Sequence, residues 1–174
     1  MRVAVVHEER YWYPDDGGIV WVAGYMPVDP GTRSFLGRDA LRERGLISCG
    51  VAGAAAFHDE VLQSEAVRPG AKVRLRRDPA NEHDPNAIAV EVAGVDAPAA
   101  KRAEVEATAA EASGGGEHLG FVPRDLAVEL APKLDAGEAW SAVILREQRG
   151  SPRDPRTGVT MLLAPDHTIE LDVR

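Results

Sequence analysis

Cysteine is almost missing from this sequence, since Cys49 is the only one among 174 residues. A single thiol cannot form a disulfide within the chain, and it cannot supply the thiolate cluster of a structural zinc site. The segment LISCGVAG around it is apolar and is typical of a buried strand. We therefore expect a buried, unreactive cysteine rather than a nucleophile.

Long apolar runs are missing as well. No stretch approaches the roughly 20 residues that a membrane-spanning helix needs. The first segment, MRVAVVHEERYW, is apolar only briefly before charges follow, and no small-residue cleavage site appears after it. We expect a cytoplasmic protein with no membrane partner.

Positive charge is in the minority. The chain has 20 Lys and Arg against 28 Asp and Glu, for a net charge of −8. Because affinity for nucleic acid comes from neutralising phosphates, this total argues against a chain that coats nucleic acid with its whole surface. All the bases of residues 46–92 fall between Arg68 and Arg77, however, so a local basic patch is present in an acidic protein.

The chain also lacks a GxxxxGK[ST] phosphate-binding loop and a helicase motor. We identify no catalytic residue, no metal-ligand set and no cofactor. Any ATP-driven role would have to come from a partner, such as a helicase or a nuclease.

Apolar and polar residues alternate in several short segments, which predicts strands. In AKVRLRRD, Val73 and Leu75 should face one way and the basic residues the other. The segment RDLAVELAPKLDAG predicts a helix with Asp125 as its N-cap. Short strands, one helix between the later ones and no βαβ alternation predict a mainly β (α+β) fold, a small OB-like β-barrel with one or two short helices.

These segments divide the chain into three parts. Residues 1–45 form an N-terminal extension with strands and a short helix, residues 46–165 form the barrel, and residues 166–174 form a C-terminal strand or tail that could close a final hairpin. An Ala/Glu-rich insert at about 94–117 interrupts the barrel, and its composition fits a surface helix with a flexible tether or disorder.

The stretch RRDPANEHDPNAIAV, residues 76–90, crowds short polar side chains between two predicted strands. Turn chemistry explains some of them, because Asn and Asp side chains bond their own backbone beside proline. A binding site would explain more. An ionised Asp84 only accepts hydrogen bonds and suits a hydroxyl donor, whereas Asn81 can both donate and accept. His83 can stack on a base.

Four further residues could follow the phosphates of a bound strand: Lys72, Arg74, Arg76 and Arg124. The alternative for the first three is the charged face of an edge strand, where charge discourages aggregation. Arg124 could instead pair with Asp125 or Glu129.

Four segments together resemble the HIRAN domain family: VAG at 51–53, VRLRRDPANEHDPNAIAV at 73–90, HLGFVPRDLAVEL at 118–130 and LDAG at 134–137. The resemblance implies an OB-like barrel. For the helicase-linked members of the family it implies a non-enzymatic module that binds single-stranded DNA at its free 3′-hydroxyl end, in DNA repair or replication.

The resemblance also implies roles for single residues. Asn81 and Asp84 match positions that line the pocket for the terminal nucleotide, and His83 stands where those members carry a tyrosine. Arg124 matches a basic position that contacts backbone phosphate. Ala55 and Ala56 stand where the DNA-binding members carry an Arg-Tyr pair, and the neighbouring Phe57 could substitute for the lost ring.

Two other functions stay open at this point. The alanines at 55 and 56 and the acidic surface would suit a protein-interaction or regulatory module that has lost its DNA contacts. The acidic cluster at 78–84 would suit a metal-dependent hydrolase acting on nucleic acid or nucleotides, because hard cations favour clustered carboxylates.

Overall fold

Strands dominate the computed structural model, which describes residues 1–12, 20–54, 59–62, 65–93, 116–150 and 158–174. In chain order they are β1 (Arg2–Trp12), β2 (Val20–Pro27), β3 (Ile47–Gly50), β4 (Lys72–Arg77), β5 (Ile88–Ala93), β6 (Gly116–Phe121), β7 (Trp140–Gly150), β8 (Gly158–Pro165) and β9 (Glu170–Val173). The helices are α1 (Arg38–Glu43), α2 (Asp59–Leu62) and α3 (Arg124–Asp135), and a 3-10 turn covers Glu65–Val67. No described helix is both long and apolar enough to cross a membrane.

Some predictions fall outside the described residues. They concern Phe57, the two alanines before it and most of the Ala/Glu-rich insert.

The strands form one curled sheet in the order β6-β5-β4-β7-β2-β1-β9, with β8 beside β7 and β3 beside β8. Neighbours are antiparallel, except that β1 and β9 are parallel. The predicted fold class is confirmed: the chain is mainly β, with a half-barrel sheet of OB-like type.

The alternation in β4 and β5 places one set of side chains in the barrel core. Val73 is opposite Val92 and Leu75 is opposite Val90, and both valines of β5 are fully buried. Residues opposite each other in an antiparallel pair share a face. The other phase of β4 carries Lys72, Arg74 and Arg76, and we call the side of β4, β5 and β6 that bears them the outer face.

Helix α3 closes one end of the core with Leu126, Ala127, Leu130 and Ala131. The prediction that Asp125 is its N-cap is wrong. Pro123 occupies that position in an extended conformation, and its carbonyl accepts the first helical hydrogen bond from Ala127 N–H at 2.8 Å. Asp125 lies in the first turn, where a carboxylate is still favourable beside the positive end of the helix dipole.

A second hydrophobic core joins the N-terminal extension to the barrel. It contains Val3 and Val5 of β1, Leu41 of α1, and side chains of β7 and β8 such as Leu145 and Leu162. Strand β2 continues the sheet by pairing with β7 over residues 20–24. The extension is therefore part of the same sheet as the barrel strands.

The C-terminal strand does not close a hairpin as predicted. Both edges of β8 are occupied, one by β3 and the other by β7. Strand β9 therefore adds to the open edge of β1 and runs parallel to it, with Arg2 opposite Glu170.

Candidate nucleic-acid interface

The turn between β4 and β5, residues 78–87, is held together by its own polar groups. Asp78 N–H donates to Ala87 O at 2.9 Å and closes the base of this β4–β5 turn. Asn81 Oδ1 accepts from His83 N–H at 3.0 Å and from Asp84 N–H at 3.3 Å, and its Nδ2 donates to Asp78 Oδ2 at 3.1 Å. One N–H of Asn81 Nδ2 is left without a partner in the described part of the chain.

Asp84 uses only one of its two carboxylate oxygens to hold the turn together. Its Oδ1 accepts from Asn86 N–H at 2.8 Å, whereas Oδ2 has no hydrogen-bond donor among the described residues. Oδ2 lies 3.7 Å from Nε of Arg124. The carboxylate is largely buried, with 16% of the side chain exposed, and the arginine is 76% exposed. The fold thus brings together one largely buried acceptor and one exposed cation.

Neither predicted partner of Arg124 is the observed one. Glu129 pairs instead with Arg42 of α1 at 3.3 Å and with Lys133 at 3.9 Å. Because α3 starts at Arg124, the side chain of this residue leaves the helix at its first turn and points back toward the β4–β5 turn.

His83 lies at the exposed side of the β4–β5 turn. Its backbone N–H is bound to Asn81, but among the described residues its ring makes no ring contact, hydrogen bond or ion pair. The ring is therefore accessible to a ligand.

Arg77 is a structural residue that the sequence analysis did not single out. It donates to Ala87 O at 2.7 Å and to Pro85 O at 3.1 Å, and it binds both oxygens of Asp135 at 2.9 and 3.2 Å. It thereby fixes the β4–β5 turn to the end of α3. The alternation of β4 could have predicted this role. Arg77 follows Val73 and Leu75 at two-residue spacing and should face the core, where a charged side chain needs partners.

The basic residues of β4 differ in how far they are already neutralised. Arg76 donates to Glu91 Oε1 at 2.5 Å, and this hydrogen bond raises the pKa of Arg76. Lys72 and Arg74 are exposed and make no ion pair among the described residues. Strand β4 pairs with β5 over residues 73–77 but with β7 only at Lys72 and Val73, so the edge-strand interpretation still fits Arg74 and Arg76. Lys72 and Arg74 remain available to a ligand.

An aromatic pair lies on the same outer face. Arg76 is opposite Ala89, which is opposite Phe121, and Glu91 is opposite His118. The rings of His118 and Phe121 meet edge to face with 4.7 Å between centroids. Sequence analysis missed this pair, because a bulge makes the spacing between the two rings three residues rather than two.

The bulge depends on Gly120. Its φ is +152°, and a Cβ at this position would lie 2.5 Å from Ala52 O and 2.7 Å from Val51 Cγ1. A side chain there would push away the strand segment that pairs with Phe121 through Ala52.

The two groups of residues lie close along the chain. Phe121 of the aromatic pair precedes Arg124 by three residues, a length that spans at most about 11 Å. On β4, Arg76 and Arg77 lead directly from the outer face into the β4–β5 turn. Both chain segments therefore lead from the outer face to Asp84 and Arg124.

Within the described residues, no group of three or more His, Cys, Asp and Glu side chains is arranged to hold a metal ion. The acidic residues at 78–84 are instead spread around the turn, with Asp78 bonded to Asn81 and Asp84 bonded to Asn86.

No curated protein matches this chain. The crystal structure of the HIRAN domain of human HLTF is 21% identical, with a TM-score of 0.42 over 70% of this chain and 78% of that chain. The family model of the HIRAN domain matches residues 48–163. The chain therefore belongs to the HIRAN domain family, a family of generally non-enzymatic nucleic-acid-binding modules.

Proposed function

We propose that this chain binds single-stranded DNA with the 3′ end at the β4–β5 turn, in DNA repair or replication, without a catalytic step of its own. The observation that carries the proposal is that Asp84 Oδ2, beside Arg124, accepts no hydrogen bond from the described residues. These two groups match the two groups that mark a 3′ end, a hydroxyl that donates and a phosphate that carries negative charge.

Asp84 is suited to read the hydroxyl. An ionised carboxylate only accepts hydrogen bonds, and Oδ2 keeps its acceptor capacity because the turn uses Oδ1. Its low exposure strengthens a hydrogen bond made there. Asn81 contributes at most the remaining N–H of Nδ2, because its oxygen serves the turn.

Arg124 is suited to hold the phosphate before the terminal sugar. Its contact with Asp84 is long and its own side chain is mostly in solvent, so little free energy is lost when the guanidinium turns to a phosphate. Lys72 and Arg74 would hold the preceding phosphates, while Arg76 would act mainly by keeping Glu91 neutralised.

The bases would stack on accessible rings. The candidates are the half-buried aromatic pair on the outer face and the exposed ring of His83 at the β4–β5 turn. Stacking contributes about 1–3 kcal/mol per base and tolerates any base. Phe57 remains a further candidate for this role.

Fluorescence anisotropy with labelled single strands tests the proposal. Strands ending in a 3′-hydroxyl are compared with strands ending in a 3′-phosphate, at low and moderate salt. We expect the hydroxyl end to bind about tenfold more tightly, since a terminal phosphate would meet the Asp84 carboxylate and lose its hydrogen bond.

Asp84→Asn is the matched variant, because an amide oxygen can still accept from Asn86 N–H and preserve the turn. It should bind both ends with similar affinity. Equal affinity of the unmodified chain for both ends would remove end recognition, and no binding at low salt would remove the nucleic-acid function.

A further inference from the structure

Arg146 lies at the junction of the extension and the barrel, away from the β4–β5 turn. It belongs to a row of paired residues that crosses four strands, formed by Glu8, Gly24, Arg146 and Thr160. Gly24 has a φ of +142°, and a Cβ there would lie 2.7 Å from Arg146 Cα and 3.1 Å from its Cγ. The missing side chain at Gly24 thus makes room for the stem of Arg146.

The guanidinium of Arg146 has no anionic partner among the described residues. Nη1 donates to Met26 Sδ at 2.8 Å, and Nε is buried without an acceptor. By contrast, Arg76 and Arg77 each bind a carboxylate, at 2.5 and 2.9 Å. A thioether is a weak acceptor, and removing a cation from water is costly unless it is paired.

Arg10 lies two residues along β1 from Glu8 of this row and on the same face of the sheet, and Arg38 also acts on Arg146 electrostatically. Burial lowers the pKa of Arg146, Arg10 lowers it further, Glu8 opposes this effect, and Arg38 at the start of α1 lowers it again. Glu8 is the one carboxylate among these neighbours, and it lies 3.9 Å from Arg10. Arg38 is exposed and has no ion pair in the described part of the chain. Among these described groups, Glu8 is therefore the one carboxylate beside three arginines.

We propose that Arg10, Arg38 and Arg146, the arginine cluster, form a second anion site that binds a phosphate group. A guanidinium offers paired N–H donors that match two phosphate oxygens, and a phosphate has enough oxygens for all three side chains. The phosphate could belong to a nucleic-acid backbone or be free in solution. This site does not depend on the function proposed for the β4–β5 turn.

NMR titration of the full chain tests the site, following the Arg146 Nε–H resonance. The probes are inorganic phosphate and, separately, a single-stranded oligonucleotide with a 3′-hydroxyl. Arg38→Gln removes one exposed cation without touching either core. Arg2→Gln is the control, because Arg2 is an exposed arginine that pairs with Glu170 at the other end of β1.

We expect phosphate to shift the resonance, and Arg38→Gln to weaken this binding by about tenfold, as for loss of one charge-assisted hydrogen bond. Arg2→Gln should leave it unchanged. Arg146→Met lacks the reporter resonance, so it is followed at the backbone amide of the neighbouring Gly24: phosphate should no longer shift that amide, and the rest of the amide spectrum shows that the variant is folded.

Each result decides the proposal. An effect of Arg38→Gln on both probes supports a site for the phosphate group on either carrier, and an effect on the oligonucleotide alone supports a backbone site. If neither probe distinguishes Arg38→Gln from Arg2→Gln, the site does not exist. Arg124→Gln should not alter binding of inorganic phosphate at the arginine cluster. A failure of 3′-end recognition at Arg124 can therefore be distinguished from a failure of the arginine cluster.

Discussion

Asp84 Oδ2 and Arg124 Nε lie 3.7 Å apart, and this contact links the β4–β5 turn to the first residue of α3. The distance is too long for a hydrogen bond, and the arginine is mostly in solvent. The pair therefore contributes little to folding. Its two charges are available to a ligand that carries both a hydroxyl and a phosphate.

Arg124→Gln should weaken binding of single-stranded DNA while leaving the free energy of unfolding within about 0.5 kcal/mol of the original, because the contact with Asp84 is long and the guanidinium is mostly in solvent. The slope of log affinity against log salt concentration should decrease in magnitude by about 1, as for the loss of one phosphate contact. Anisotropy at several salt concentrations and urea unfolding measure the two effects. A loss of stability with unchanged affinity would make Arg124 a structural residue.

Asn81→Ala should destabilise the fold by about 1–3 kcal/mol, since two backbone N–H groups and Asp78 lose their partner. Asn86→Ala is the matched control. Asn86 contributes its backbone N–H to the same turn, and that group survives the substitution. Urea unfolding should separate the two variants clearly. Equal stability would mean that the Asn81 side chain does not maintain the turn.

Phe121→Leu should reduce affinity for single strands by about 1–3 kcal/mol, because leucine keeps the apolar contact but cannot stack on a base. Phe35→Leu serves as the control, since Phe35 is 61% exposed and lies outside β4, β5 and β6. Anisotropy measures both variants at one salt concentration. Similar affinities would exclude the aromatic pair from the binding surface.

Cys49 should react slowly with iodoacetamide at pH 8. Burial raises the pKa of its thiol to about 12, with the positive charge of Arg38 acting in the opposite direction, so the thiol stays protonated in the folded chain. Between the ordinary pKa of 9.0 and about 12, the unfolded chain loses this proton first, so stability should fall as pH rises through that range. Alkylation rates with and without urea measure the effect, and a native rate equal to that of the unfolded chain would contradict it.

The local pattern of residues in the sequence was sufficient to predict much of the fold. The two-residue period of β4 and β5 predicted which side chains enter the core, because successive side chains of a strand point to opposite faces. The spacing of polar residues beside Pro79 and Pro85 predicted a turn. The same alternation could have identified Arg77, whose position in the core-facing phase demands partners.

Other features depend on contacts between distant segments. His118 and Phe121 both lie on the outer face because β6 has a bulge where it pairs with β5. The local spacing of residues in the sequence does not predict this bulge. Asp125 is a good N-cap by residue type, but the course of the chain out of β6 places Pro123 there. The parallel pairing of β9 follows from which sheet edges are still open when the other strands have paired.

The sequence by itself determined the class of the fold, the faces of its central strands and the family, because each depends on residue type and short spacing. Tertiary structure alone decided that Asn81 is occupied by its own turn, that Asp84 Oδ2 lies beside Arg124, and that Arg146 has no anionic partner among the described residues. These outcomes depend on which hydrogen-bond partners the folded sheet brings within about 3 Å, and that proximity is a property of the whole fold.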